Sequence, residues 1–416
     1  MRVKQFAGVS PATLILRGSS DICNSFLSDR PRRTEFLIVC YGEINEEYAV
    51  RLILILCALW SGWCLRVICA EAQTNIQVFV LSGGDFEKGR ALFFGEQLKC
   101  STCHLIRGEG VGSDLSKLMS RGANSVLDDI KGRGISSTPH HAKDLFGALK
   151  EEQERDLLTF LLNEPPKRTK AEVNAILKSS RTRLQKSRYD HMLNIVLVAS
   201  KQDHGSGQHD YPAWQKKWHP LLAKAVNVTV TDAWQWPSEE QFKKADVLVF
   251  YFWNHDWSTE RLKQVDDYQA RGGGIVLLHS AIIADKDAEE LAERMGLASQ
   301  PVRSKYLHTP LDFKVTASAD NPVTRGIKQI HFLDEPYWSL IGDASKVQVL
   351  GTVDEEGSAC PVMWTFMRGK GRVFGSVLGH YTWTGDDPLF RILILRGIGW
   401  AAGEDERRFE RLATKD

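Results

Sequence analysis

Two folded regions of different class are predicted: a small all-α domain over about residues 84–163, and a doubly wound α/β domain over 192–404. Three observations predict them. The run Cys100-Ser101-Thr102-Cys103-His104 stands between two helical patterns; from Leu193 onward short apolar strands alternate with helices; and four of those strands are followed by histidine. Continuous apolar strands separated by helices imply a mostly parallel sheet covered on both faces, and such sheets bind ligands outside the carboxyl ends of their strands. The 416-residue chain is 43% hydrophobic and 25% charged with a formal charge of +1, which is ordinary for soluble multidomain protein and gives no basis for a nucleic-acid partner.

Residues 1–72 read as a leader. No periodic apolar pattern persists through 1–49, which Arg30-Pro31-Arg32-Arg33 interrupts. Arg51, the apolar run Leu52–Leu65 and Ala70-Glu71-Ala72 then supply the charged region, the apolar region and the small-residue cleavage site of a signal peptide at about 50–72. The apolar run is too short to span a bilayer, so no stable membrane span is expected after cleavage. Because no methionine lies between Met1 and Met119, translation is expected to begin near Val50 through an alternative start codon. Export to the periplasm or beyond would remove Cys23, Cys40, Cys57, Cys64 and Cys69 with the leader, leaving no disulfide framework to explain.

Within 84–163, two thiols two residues apart, followed at once by an imidazole, are what covalent haem requires. Cys100 and Cys103 can each form a thioether to a porphyrin vinyl group while His104 sits beneath the iron. A zinc site would need a second ligand pair, and Cys360 stands alone; a redox pair would close a βαβ unit, whereas the flanks here are helical. Asp85 can cap a first helix carrying Phe86, Phe93 and Phe94; a second runs from about Lys150 to Leu162. Two such helices around the motif resemble a class I cytochrome c. That family places an axial methionine before its last helix, where this chain has Thr138-Pro139-His140-His141-Ala142. His141 is therefore expected as the sixth ligand, with His140 and Met119 the alternatives, and five-coordinate iron if both histidines stay in solvent. Imidazole in place of thioether lowers the reduction potential.

Pro165-Pro166 opens a basic linker over 164–191; residues 167–188 carry eight Lys or Arg against one Glu, read as a solvated connector or a helix that docks on something acidic. The α/β pattern follows: a strand from Leu193, a helix from Pro212, strands ending near Trp253 and His279, helices over 258–271 and 287–295, strands near 346–352, 360–367 and 372–378, and a last helix over 388–402. Asp203, His204, His209 and Asp210 follow the first strand, His255 and Asp256 a later one, and His279 and His380 two more. Imidazoles delivered to one edge by four strands suggest a polar pocket for a metal, a sugar or both.

Arg271 to Ala281, Asp334-Glu335-Pro336-Tyr337-Trp338, and Gly369 to Phe374 continuing through His380 to Gly403 resemble the trehalose-utilisation (ThuA-like) family. That resemblance implies a class I glutamine amidotransferase-like, flavodoxin-related fold and an association with disaccharides and keto-sugars. An amidotransferase would need a cysteine at the elbow, where this chain has His279-Ser280, and Ser280 lacks a hydrolase frame, so neither nucleophile is expected. The inventory points to acid–base work on a carbohydrate, with His279 and His380 exchanging protons and Glu335 or Asp210 assisting. A divalent metal held by two or three histidines is the alternative means. Trp253, Trp257, Tyr337, Trp338 and Trp383 could stack on a sugar ring or pack the core. Gly272-Gly273-Gly274 precedes a strand, which excludes a dinucleotide loop. The expected partners are a redox protein and a small carbohydrate. The competing readings are an enzyme, a carbohydrate-binding or docking module carrying a cytochrome, and a haem gas sensor.

Overall fold

The computed structural model describes residues 83–102, 104, 115, 118, 123–130, 149–179, 189, 191–405 and 407–415, with the backbone of four short strands before residue 41. The signal-peptide segment, Cys103, Met119, His140 and His141 lie outside the described residues. Contacts divide the chain into two units, 1–89 with 121–159 and 90–120 with 160–416.

In the first unit, β1 (Arg2–Lys4), β2 (Ile15–Arg17), β3 (Ile22–Ser28) and β4 (Glu35–Cys40) form an antiparallel sheet in sequence order. Asp85 caps α1 (Phe86–Phe94) as expected, its Oδ1 accepting from the backbone N–H groups of Glu87 at 2.9 Å and Lys88 at 3.0 Å. The same residue's N–H donates to Asp156 Oδ1 at 2.7 Å. Helices α2 (Ala123–Ile130) and α3 (Glu151–Leu162) follow.

In the second unit, Phe93, Phe94 and Phe160 bring their ring centroids within 5.1–6.0 Å. Cys100–Thr102 form one 3₁₀ turn, and the His104 N–H donates to the Cys100 carbonyl at 2.9 Å. Part of the basic linker is helix α4 (Lys170–Ser179), whose Val173 is buried, while Arg168 Nε meets Asp387 at 2.8 Å. Val173 and Arg168 thus dock on the domain, while Lys167, Lys170 and Lys178 remain exposed.

The large sheet takes β5 (Leu193–Ala199), β6 (Val228–Trp234), β7 (Val247–Phe250), β8 (Gly274–Leu278), β10 (Thr309–Val315), β11 (Gln329–Asp334), β13 (Gln348–Glu355), β14 (Ser358–Arg368) and β15 (Gly371–Ser376), in the order β11-β10-β13-β14-β15-β8-β7-β5-β6. The short β9 (Lys305–Tyr306) and β12 (Tyr337–Trp338) pair separately. Between the strands lie α5 (Tyr211–Leu222), α6 (Glu239–Lys244), α7 (Thr259–Ala270) and α8 (Ala288–Met295), with α9 (Thr382–Asp386), α10 (Pro388–Ala401) and α11 (Arg407–Glu410) at the end.

The sheet is mixed, not mostly parallel. Neighbours from β6 to β15 are parallel, and from β15 to β11 antiparallel. The reason lies in the local chain. Glu356 and Gly357, joining β13 to β14, both take positive φ (51° and 76°), the signature of a two-residue hairpin turn that reverses direction without a crossover helix. In β10, Leu311 and Phe313 are buried while Asp312 and Lys314 are exposed, the one-sided alternation of an antiparallel strand.

The parallel half is sealed by α10, where Ile392, Leu393, Ile394, Leu395 and Ile398 are fully buried. Arg396 is buried with them; Glu410 accepts from its Nε at 2.8 Å and the Arg325 carbonyl from its Nη1 at 2.8 Å. At the start of β8 the backbone of Gly274 packs so closely that a Cβ there would lie 2.2 Å from the Ala401 carbonyl oxygen. Gly274→Ala is expected to cost about 1–3 kcal/mol, read as a lower urea midpoint with an unchanged slope.

Candidate functional site

Where β8 ends, the chain turns at His279 with φ of 51°, a strained left-handed elbow for a residue that bears a Cβ. The ring is fully buried, and its Nδ1–H donates to the Val377 carbonyl at 2.6 Å. A carbonyl can only accept, so Nδ1 keeps its proton and, in the neutral ring, Nε2 carries the lone pair. That nitrogen lies 2.9 Å from His209 Nε2, 3.1 Å from His380 Nδ1, 3.3 Å from Glu335 Oε2 and 2.9 Å from Tyr337 Oη.

His209 arrives from the loop after β5, again with positive φ (43°), and its backbone N–H donates to the His380 carbonyl at 3.0 Å. Its Nδ1 meets Asp203 Oδ1 and Tyr211 Oη, each at 2.7 Å. His380 follows β15. Asp334, at the end of β11, accepts from the N–H groups of Gly379 at 2.7 Å and His380 at 3.0 Å and so pins that loop. The far nitrogen of His380, Nε2, meets Gln208 Oε1 at 2.8 Å, while Nδ1 lies 2.9 Å from Glu335 Oε2. The other carboxylate oxygen of Glu335 meets His308 Nε2 at 3.1 Å, and His308 Nδ1 meets Tyr381 Oη at 2.8 Å.

Burial governs the protonation of these groups. It lowers His209 to about 4, only partly offset by Asp203, and it pushes His380 well below the usual imidazole range. Burial also opposes the charge on Glu335, but His380, His279 and His308 around it hold the carboxyl well below its ordinary value. Burial pushes the Tyr211, Tyr251 and Tyr337 hydroxyls well upward. His209 and His380 are thus held as neutral imidazoles beside the Glu335 carboxylate.

His279, His380 and Glu335 therefore converge as the sequence suggests. Asp210 does not join them: it caps α5, its Oδ1 accepting from the Ala213 N–H at 3.1 Å. His255 is also elsewhere, mostly exposed and 2.7 Å from Asp285. Of the expected aromatic residues, Tyr337 faces the cluster, whereas the indole N–H groups of Trp253, Trp257, Trp338 and Trp383 donate to Asp285, the Ile283 carbonyl, Glu356 and the Leu333 carbonyl. His308, Gln208 and Asp334 in its pinning role are not foreseen; the only signal for His308 is an imidazole just before an alternating strand. Among the described residues, His209, His279, Glu335 and His380 form one group whose donor atoms lie within 4.8 Å of one another, and Asp203, His204 and His209 form a second, more exposed one. A cavity of about 170 Å³ adjoins the supporting loops, lined in part by Leu278, Gly379, Tyr381, Trp214, Tyr251 and Asp210.

The model of the trehalose utilisation (ThuA) family matches residues 195–401. This domain is ThuA-like. The matched span holds the elbow and every residue of the cluster. Similar solved structures include a ThuA-like protein from Parabacteroides merdae (19% identity, 51% of this chain, 91% of that one, TM-score 0.41) and another from Bacteroides uniformis (14%, 55%, 98%, 0.42). A β-galactosidase from Bacillus circulans sp. alkalophilus is similar at 11% identity over 51% of this chain and 32% of its own, with a TM-score of 0.38. No curated protein matches the chain. The ThuA-like resemblance is borne out over residues 195–401, a span that does not include the CxxCH segment.

Proposed function

We propose that the ThuA-like domain acts on a sugar or keto-sugar by proton transfer at the His209–His279–His380–Glu335 cluster. The observation that carries this reading is the convergence of four buried polar groups from four separate strand ends, three imidazoles beside a carboxylate. A neutral imidazole can take a proton from a hydroxyl or from a carbon beside a carbonyl, and the carboxylate stabilises the imidazolium that forms. The family's link to sugar metabolism supports the substrate class, and the aromatic-lined cavity beside the supporting loops offers room for a small ring.

The cytochrome half of the proposal rests on the motif. Cys100 and His104 belong to one turn closed by a 2.9 Å backbone hydrogen bond, an arrangement that fits a thioether and a proximal imidazole on one porphyrin. Cys100 and Cys103 would hold the haem and His104 its iron, with His141 as the sixth ligand; the group supplies one-electron transfer when bound. Exported in this form, the protein would pass electrons to or from a redox partner engaged in sugar oxidation. Among the described residues no helix is long and apolar enough to cross a membrane.

Incubated in D₂O with aldoses, ketoses, disaccharides and their keto derivatives, the protein is expected to exchange a carbon-bound hydrogen beside the carbonyl for deuterium, followed by NMR. His279→Ala should slow that exchange by about 10²-fold or more. Sugar binding without exchange in the wild type would instead make the domain a carbohydrate-binding module. For the other half, the visible spectrum of exported protein should retain haem after denaturation and extraction, and His141→Met should gain a sulfur-ligation band. Loss of all haem on extraction would contradict covalent attachment.

A further inference from the structure

We propose that His209 Nε2, His279 Nε2, His380 Nδ1 and Glu335 Oε2 bind a divalent transition metal of the zinc type. The proposal concerns the cluster assigned above to sugar chemistry but does not rest on that chemistry; with the metal bound these four atoms would be ligands, and the ion would supply Lewis acidity in place of their proton transfer.

Three ring nitrogens turn inward because their partners across each ring are acceptors. The Val377 carbonyl takes the His279 Nδ1–H, Asp203 the His209 Nδ1–H, and Gln208 Oε1 the His380 Nε2–H. Each inner nitrogen is therefore left with a lone pair, and the fourth inner atom is a carboxylate oxygen. These atoms nevertheless crowd together: His209 to His279 2.9 Å, His279 to His380 3.1 Å, His380 to Glu335 2.9 Å and His279 to Glu335 3.3 Å. The Tyr337 hydroxyl supplies a proton toward His279, yet none is available between His209 and His279. One added proton would satisfy a single contact, whereas a divalent cation satisfies all four donors at once.

The size and type of the donor set fit. Tetrahedral zinc holds nitrogen and oxygen donors at about 2.0–2.2 Å, which places neighbouring donors about 3.3–3.6 Å apart. Four of the six donor separations, at 2.9–3.3 Å, sit just inside that shell, and all six lie within 4.8 Å. Three imidazoles and a carboxylate, with no thiolate, select zinc or its borderline neighbours over calcium, magnesium or copper(I). The outer partners are those that orient metal-bound histidines: a carboxylate (Asp203), a backbone carbonyl (Val377) and a side-chain amide (Gln208). Two of the four ligands, His209 and His279, hold positive φ, strain of about 1–3 kcal/mol each that persists where the surroundings fix the geometry. Gln208 is fully buried and its amide Nε2 has no hydrogen-bond partner among the described residues, a donor available to an oxygen bound beside the cluster.

The test uses the full chain as purified, incubated with zinc, dialysed and assayed by mass spectrometry for zinc separately from iron, with X-ray absorption at the zinc edge. One zinc per chain is expected, in a shell of nitrogen and oxygen without sulfur. His279→Ala and Glu335→Gln should lose bound zinc, and His255→Ala should keep it. Asp203→Asn leaves all four donors in place and should weaken zinc binding by about 10–100-fold in competition with a chelator, so the reading survives a failure of His279→Ala to fold. Less than stoichiometric zinc in the folded wild type, sulfur in the shell, or an affinity unchanged in Glu335→Gln and Asp203→Asn would each overturn the metal site. A zinc-loaded protein inert toward every sugar would overturn the sugar reading alone.

Discussion

The Val377 carbonyl decides which nitrogen of His279 faces inward, and the rest of the site follows from that decision. Were the ring flipped, its inner atom would be a donor and could satisfy His209 or Glu335 by ordinary hydrogen bonding. With Nδ1 committed at 2.6 Å, the inner face is instead a lone pair among lone pairs, fully buried. Such a concentration of acceptors, with the Tyr337 hydroxyl the donor toward His279, is the arrangement that a bound cation would complete.

The architecture explains how the acceptors meet. Each inner residue follows a carboxyl end: His279 and Glu335 directly after β8 and β11, His380 shortly after β15, and His209 at the end of the loop that leaves β5. Strands β8 and β15 are parallel neighbours, so their ends are necessarily adjacent. Glu335 comes from the antiparallel half, at the far edge of the sheet in strand order, and it reaches the others because Asp334 beside it accepts two backbone N–H groups from the 379–380 loop. The antiparallel extension thus supplies the site's charge, and the parallel half its imidazoles.

Much of this was legible in the sequence, for a physical reason. Buried parallel strands are continuous apolar runs, so β5, β7, β8 and β15 announce themselves, and a histidine just past such a run can only lie at the sheet's edge. His279 and His380 were readable in that way; Glu335 came from the family-like run Asp334–Trp338. The antiparallel strands β10 and β11 were not, since each buries one face and shows no continuous run. His308, just ahead of β10, was lost with them. Asp210 stands apart from the cluster because spacing cannot show that a loop carboxylate also caps a helix; here it accepts from the Ala213 N–H while lining the neighbouring cavity. Tautomers are invisible to sequence altogether, and they are what turn a histidine-rich edge into a set of converging donors.

The most direct measurement is anomalous diffraction from crystals of the full chain grown with zinc, recorded on both sides of the zinc absorption edge. The account predicts one anomalous peak bounded by His209, His279, His380 and Glu335, vanishing below the edge. Well-ordered side chains with no peak among them would contradict it.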